Sequence, residues 1–298
     1  MTDIIIAGIF PGQGSQQVGM GQQLAATVAS VRDTFAEADD TLGFKLSDII
    51  FNGPADELKR TSIAQPALLT MSTAYWRMQD YHCSVVAGHS LGEYSALVAA
   101  GALTFTDALK LVRVRGQLME TAASNHPGGM AAILGMEDED VIALCAAVAA
   151  EYGTLVPANF NSPGQVVVSG ESAAIAAVRT AAKAKGGRAI PLQVSGPFHS
   201  PLMQSAADAF AQALADVAIS APHITAVPNF TGVPTMDAEE IRAALAAQIT
   251  GAVQWVKSLH AMHALGANKF IEIGPGNVLT GLVQRTMPDV TTVTVSTE

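Results

Sequence analysis

Gly88-His-Ser-Leu-Gly92 sets a serine two residues from a glycine on either side, a pattern that presents a hydroxyl at a sharp turn and lets a reacting group approach the backbone closely. That chemistry needs a strand before the turn and a helix after it. Ser84-Val-Val-Ala-Gly88 reads as a short strand, and residues 90–100 read as a helix closed by Gly101. The N-terminus of such a helix offers N–H groups and the positive end of its dipole to a developing oxyanion. Gly and Ser are common, so the five-residue pattern is weak alone. The strand–turn–helix setting is what makes Ser90 the candidate nucleophile.

A serine hydroxyl at its ordinary pKa needs a base within hydrogen-bond reach. The chain has seven histidines, His82, His89, His126, His199, His223, His260 and His263. His89 adjoins Ser90, but neighbouring side chains on such a turn point apart, which makes it a structural or pocket-wall residue. His260 and His263 are spaced to share a helix face with no cysteine or carboxylate cluster beside them, and read as surface residues. His199, in Pro197-Phe-His-Ser-Pro201, is favoured by its place at a junction between two structural units, described below. A second loop, Phe10-Pro-Gly-Gln-Gly-Ser-Gln16, follows the first strand. Gln17 stands where a dinucleotide fingerprint requires its third glycine and no Gly-Lys-Ser/Thr follows, so nucleotide binding is disfavoured. Small residues at the carboxyl end of a strand still suit a binding crevice, toward which Gln13 can aim its amide. Cys83 and Cys145 are too few for a disulfide framework or a zinc site and read as buried apolar side chains.

The elements that must position these groups follow an α/β rhythm. Of 298 residues, 49% are hydrophobic and 14% charged, which excludes a disordered chain and allows a sizeable core. Sixteen Lys and Arg against 26 Asp and Glu leave a net charge of −10, so there is no general attraction for nucleic acid or anionic lipid. An anionic substrate must then meet a local basic cluster. Residues 4–10 form an apolar run with no basic residue ahead of it and a Pro-Gly turn behind it, a buried strand rather than a signal peptide. The longest apolar stretch, 84–105, is interrupted by His89 and Glu93 and falls short of the roughly 18 residues of a membrane helix. These features predict a cytoplasmic protein with no nucleic-acid or membrane partner.

Short apolar runs alternating with Ala-rich helical stretches predict an α/β fold with a mostly parallel sheet, including a strand at 269–273 ended by Gly274-Pro-Gly276. Thr104 and Asp107 have capping spacing ahead of a helix that runs to about 123. The middle of the chain breaks this rhythm. There the expected elements are strand 130–135, helix 138–151, strand 155–159, a tight turn at 161–164, strand 165–169, helix 172–185 and strand 188–194. Their order, βαββαβ, is the split βαβ or ferredoxin-like pattern. It predicts a small inserted subdomain at 128–195 within a large subdomain made of 1–127 and 196–298, and ligand sites favour such junctions.

Four separated segments, Phe10-Pro-Gly-Gln-Gly-Ser-Gln, Gly88-His-Ser-Leu-Gly-Glu-Tyr, Pro197-Phe-His-Ser-Pro-Leu-Met and Ile273-Gly-Pro-Gly-Asn, together resemble the malonyl-CoA:acyl carrier protein transacylases of fatty acid synthesis. The resemblance spans essentially the whole chain. It implies an α/β-hydrolase-like large subdomain with a ferredoxin-like insertion, malonyl-CoA and an acyl carrier protein as partners, and no metal or redox cofactor, because a CoA thioester is already activated. It implies that Ser90 carries a malonyl ester, that His199 is its base, and that the backbone N–H groups of Gln13 and Leu91 bind the oxyanion. The histidine of this family is oriented by a main-chain carbonyl, which the resemblance places at Gln248; that segment usually holds a proline where this chain has Ala252. Arg115 matches the arginine that pairs with the substrate's free carboxylate. Arg113 lies about 200° from it on a helix and is expected to be a solvated surface residue. Phe198 is expected to wall the pocket beside the substrate's C2 carbon, since related enzymes carry phenylalanine there for malonyl and serine for methylmalonyl.

Two other readings remain open at this stage. A serine esterase or thioesterase would use the same turn, with an acidic residue between the serine and the histidine; Asp107, Asp138 and Asp140 fall in that interval. A carrier-binding module with a vestigial site would lack a working set of Ser90, His199 and Arg115. The carrier served can belong to fatty acid synthesis, polyketide synthesis or malonate metabolism. Lys183, Lys185 and Arg188 form the densest basic cluster, either a carrier-docking surface or a solvated helix end.

Overall fold

In the computed structural model, which describes residues 4–295, nine strands fall into two separate sheets. In chain order they are β1 (Ile6–Phe10), β2 (Val85–Gly88), β3 (Gly128–Leu134), β4 (Leu155–Ser162), β5 (Gln165–Glu171), β6 (Arg188–Pro191), β7 (Thr225–Ala226), β8 (Lys269–Glu272) and β9 (Thr291–Thr294). The first sheet has the order β7-β2-β1-β8-β9 and is parallel throughout. Its central strands are apolar runs, as a parallel sheet covered on both faces demands. β1 pairs with β2 in a register that sets Phe10 beside Gly88. The loop after β1 and the turn after β2 therefore emerge together at the carboxyl edge of the sheet.

The second sheet is antiparallel throughout, in the order β4-β5-β3-β6. Alternate residues of its strands point to opposite faces. Ile133, Val166 and Val168 pack with Val141, Leu144 and Val178 of the helices Asp138–Tyr152 and Ser172–Ala184. Met130, Ala132 and Val167 face the other way and join the main core. The antiparallel unit is tied to the loop after helix Ala238–Gln248 by two backbone bonds, Phe160 N–H to Val253 O at 2.9 Å and Val253 N–H to Ala158 O at 2.8 Å.

Several extents differ from expectation for local reasons. β4 runs on to Ser162 and β5 resumes at Gln165, so the expected four-residue turn is only Pro163-Gly164, with Gly164 left-handed at φ 70°. β6 stops at Pro191 instead of 194, where the missing N–H ends the ladder but for one bond from Leu192 to Met130. Helix Phe105–Asn125 is capped as expected: Thr104 Oγ1 accepts from the Asp107 N–H at 3.0 Å and donates to its carboxylate at 2.7 Å. Cys83 and Cys145 are buried free thiols, as expected. Among the described residues no helix is long and apolar enough to cross a membrane.

Candidate active site

The two glycines around Ser90 are required by contact. A Cβ on Gly88 would run into the carbonyl of Gly92, and a Cβ on Gly92 into the carbonyl of Phe10. Strand, turn and helix Gly92–Ala99 can pack this tightly only without side chains there. Ser90 itself is left-handed at φ 50°, a conformation that non-glycine residues seldom adopt, and His199 is likewise left-handed at φ 57°. Ser90 Oγ and His199 Nε2 are 2.8 Å apart. His199 Nδ1 lies 2.9 Å from Gln248 O and 3.2 Å from Gly251 O. Since both are acceptors, Nδ1 carries the proton and Nε2 presents its lone pair to the serine.

Arg115 reaches the same hydroxyl from helix Phe105–Asn125. It is 1% exposed, and its Nη2 lies 3.3 Å from Ser90 Oγ and 2.8 Å from Gln248 Oε1, while Nη1 donates to Gln65 Oε1 at 2.8 Å. The ring of Tyr94 lies under the guanidinium at 5.6 Å. Arg113 is not the expected solvated residue: it is half-buried, donates to Ser62 O and stacks over Phe44 at 5.2 Å. The opposite face of the helix meets another apolar surface there, which takes the stem and ring-facing plane of an arginine.

A cavity of about 380 Å³ lies between the antiparallel sheet and the parallel-sheet unit; Gln13, Ser90, Leu91, Arg115, Phe198 and His199 all line it. Gln13 lines the cavity, but its amide donates to Thr61 Oγ1 at 3.2 Å instead of projecting into the crevice. His89 lines the same cavity, with Nε2 2.8 Å from Asn161 Oδ1 and its ring edge-on to Trp255. Lys59 and Arg285 bring positive charge to the same cavity. His260 and His263 are exposed, as are Lys183, Lys185 and Arg188. Of the three aspartates between Ser90 and His199, Asp107 caps its helix, and Asp138 and Asp140 lie in the first turn of helix Asp138–Tyr152. None of them meets the imidazole. A larger depression, about 700 Å³, lined by residues among 17–27 and 275–277 with Tyr75, contains none of the reactive groups.

Sequence reasoning missed four residues of this site. Gln65 holds Arg115, Asn161 holds His89, and Asn229 accepts from the Ser90 N–H at 2.6 Å while donating to Gly88 O at 2.6 Å. The fourth, Glu93, is 2% exposed and its Oε2 accepts from Gln248 Nε2 at 2.6 Å and from the Asn229 N–H at 3.0 Å. The signal for it was a lone acid in an otherwise apolar helix start, Gly92-Glu-Tyr-Ser-Ala-Leu-Val.

Burial pushes the His199 imidazole down to about 3, with the Arg115 charge adding to the effect, so the ring is neutral near pH 7. Burial pushes the Glu93 carboxyl up to about 7. A histidine whose folded value lies below its unfolded one, about 6.5, gives stability that is present above pH 6.5 and is lost as pH falls toward 3. Glu93 has the opposite sign: its contribution is present below about 4.5 and is lost as pH rises through about 7. Comparing wild type with His199→Ala cancels the Glu93 part. Between pH 6.5 and 4 the wild-type unfolding free energy should fall more steeply than the variant's, by up to about 1.4 kcal/mol per pH unit, in urea titrations at several pH values. Parallel slopes would show that burial does not keep His199 neutral.

The family model for the acyl transferase domain matches residues 8–297. A relative in Salmonella typhimurium, named malonyl CoA-acyl carrier protein transacylase, is 46% identical over 290 residues, covering 96% of this chain and 94% of its own. An acyl carrier protein S-malonyltransferase from Vibrio cholerae has a crystal structure 44% identical to this chain, with a TM-score of 0.94, covering 98% of this chain and 97% of that one. A malonyl-transacylase solved in complex with its type II PKS acyl-carrier protein is 42% identical, with a TM-score of 0.95, covering 99% and 96%. Fold, sequence and the shared coverage agree, and the chain belongs to the acyl transferase family, among the malonyl CoA-acyl carrier protein transacylases.

Proposed function

We propose that the protein moves a malonyl group from CoA to the phosphopantetheine thiol of an acyl carrier protein, in the cytoplasm, through a malonyl ester on Ser90. The observation that carries this is the meeting of a base and a cation at one hydroxyl oxygen: Ser90 Oγ lies 2.8 Å from the neutral base His199 and 3.3 Å from the buried cation Arg115. His199 Nε2 takes the hydroxyl proton as Oγ bonds to the thioester carbonyl carbon. The C–S bond then breaks and the imidazolium returns the proton to the departing CoA sulfur. The carrier's thiol repeats the sequence in reverse, giving up its proton to His199 as it takes the acyl group.

The backbone N–H groups of Gln13 and Leu91, brought together by the β1–β2 register, bind the oxyanion in both halves. Arg115 pairs with the free carboxylate, Gln248 O and Gly251 O fix the imidazole tautomer, Phe198 walls the acyl pocket, and His89 supports the wall through Asn161. Every step uses groups of this chain and the thioester itself, so no cofactor is required. The parallel-sheet unit serves as an α/β-hydrolase-like large subdomain, 1–127 and 196–298, and the βαββαβ unit as a ferredoxin-like subdomain, 128–195. Residues 1–3 and 296–298 of those bounds lie outside the described residues. An esterase reading would want a carboxylate at His199 Nδ1; the two acceptors there are carbonyl oxygens.

Brief exposure to malonyl-CoA followed by intact-mass and peptide analysis should show one malonyl group on Ser90, discharged when carrier protein is added. Ser90→Ala should take up none. An unmodified Ser90 peptide during active turnover would refute the ester route.

A further inference from the structure

We propose that Glu93 is the positioning residue of this site: through Gln248 and Asn229, one of its carboxylate oxygens clamps both sides of the Ser90 backbone and sets the guanidinium of Arg115. The inference rests on the reading of Ser90, His199 and Arg115 given above. Glu93 Oε2 takes two donors, Gln248 Nε2 at 2.6 Å and Asn229 N–H at 3.0 Å. Each of those partners in turn touches Ser90. Asn229 Oδ1 accepts from the Ser90 N–H at 2.6 Å, and Gln248 Nε2 donates to Ser90 O at 3.1 Å. The left-handed backbone of Ser90 is thus held at its N–H and at its carbonyl by the side chains of two residues that both donate to Glu93 Oε2, Gln248 from its side-chain amide and Asn229 from its backbone N–H.

The same oxygen acts with Ser90 O and the Arg115 guanidinium to hold the Gln248 amide facing one way. With Nε2 drawn to Glu93, Oε1 must turn to the other side, where it accepts from Arg115 Nη2 at 2.8 Å. That bond holds Nη2 within 3.3 Å of Ser90 Oγ. Without a carboxylate or amide oxygen at position 93, Nε2 keeps only its longer bond to Ser90 O at 3.1 Å, and the amide that faces the donor-only guanidinium loses its shortest anchor. Gln248 also supplies the carbonyl that accepts from His199 Nδ1 at 2.9 Å. Glu93 makes no hydrogen bond to Ser90, His199 or Arg115 among the described residues, so its positioning effect passes through Gln248 and Asn229, with its charge also felt by the Arg115 guanidinium. Its other oxygen, Oε1, is buried and takes no protein donor among the described residues.

The test compares Glu93→Gln, Glu93→Asp and Glu93→Ala in the whole protein. Two rates are measured at Ser90: acylation by malonyl-CoA and by acetyl-CoA in single turnovers, and phosphonylation by a fluorophosphonate probe, which needs an oriented Ser90–His199 pair and no carboxylate recognition. Glutamine keeps an oxygen where Oε2 stands and should retain malonyl loading within about tenfold. Aspartate is one methylene short and cannot reach both amides at once. Misplacement on that scale is worth about 10²-fold, so Glu93→Asp and Glu93→Ala should slow both reactions by about that factor. They should also lose the malonyl-over-acetyl ratio, because Arg115 is no longer aimed. A purely structural role would lower the melting temperature with both rates per folded site unchanged. If Glu93→Ala does not fold, Glu93→Asp carries the comparison. Unchanged phosphonylation and an unchanged malonyl:acetyl ratio in folded Glu93→Asp would overturn the proposal. A wild type that takes neither acyl group would overturn the functional reading instead, with the phosphonylation series still deciding the role of Glu93.

Discussion

Arg115→Ala is expected to lower kcat/KM for malonyl transfer by two to four decades while acetyl transfer holds or rises, reversing the preference between the two. A guanidinium presents two parallel donors to a carboxylate, selecting a malonyl over an acetyl group by charge and by geometry. Arg115 is buried, and it is tied by Gln65 on one side and Gln248 on the other, so its position is fixed before substrate arrives. Removing one partner of a buried pair costs about 3–5 kcal/mol, because the other charge is left uncompensated, and 1.36 kcal/mol is a decade in rate. For an acetyl group the same change takes a bare cation out of the pocket. Arg115→Lys should recover only part of the loss, since a point charge cannot hold Gln65, Gln248 and the substrate carboxylate at once. Equal losses for both substrates would mean that Arg115 supports the fold and does not read the carboxylate. Arg113→Ala is the control: that side chain packs on Phe44 and Ser62, away from Ser90, and a reversal there would move the assignment to it.

What could be read from the chain was what is local in sequence. The turn at Ser90 is written in five consecutive residues because its two glycines are demanded by contacts with the turn itself and with the neighbouring strand. The split βαβ order was legible because its strands alternate and its helices carry one apolar stripe. Beyond the loop at 10–16, no helix was read in the segment between β1 and β2, although helices fill most of it. Its longest, Thr61–Met78, is buried from Thr61 through Tyr75 on every side and contains Pro66, so it shows neither amphipathic period nor uninterrupted helical composition. β7 and β9 escaped for a different reason, being the strands at the two opposite edges of the parallel sheet, two and four residues long, with little apolar pattern of their own.

Within the site the division is similar. Ser90 and His199 announce themselves by type and setting, but their supports are amides and a buried acid whose partners lie 136 to 158 residues away in the chain. Nothing in Asn229 or Gln65 distinguishes it from a surface amide until the fold brings it in. The carbonyl that orients His199 has no side-chain signature whatever, and was located only through the resemblance of its segment to a family. The bond from His199 Nδ1 to Gln248 O forms with Ala252 in place of the usual proline, in a segment that the β4 bonds to Val253 tie down.

His199→Ala should slow malonyl transfer by about 10²- to 10⁴-fold, the usual worth of a positioned general base, with little change in the binding of malonyl-CoA. The imidazole has a single free lone pair, on Nε2, because Nδ1–H is spent on two carbonyls, and that lone pair points at Ser90 Oγ. Burial keeps the ring unprotonated, which supplies the base form at neutral pH but makes the isolated base weak. Its strength is recovered during the reaction: the oxyanion developing beside it favours the imidazolium, as do Gln248 O and Gly251 O at the far nitrogen. Alanine removes this proton acceptor while the clamp on the Ser90 backbone and the amides around Arg115 stay in place, so the loss should fall on kcat and leave KM nearly unchanged. His89→Ala breaks only a wall contact to Asn161 and Trp255 and should cost much less. Steady-state kinetics of both variants, with folding checked by circular dichroism, separate the two. If His89→Ala proves the more damaging with folding intact, the base has been assigned to the wrong histidine.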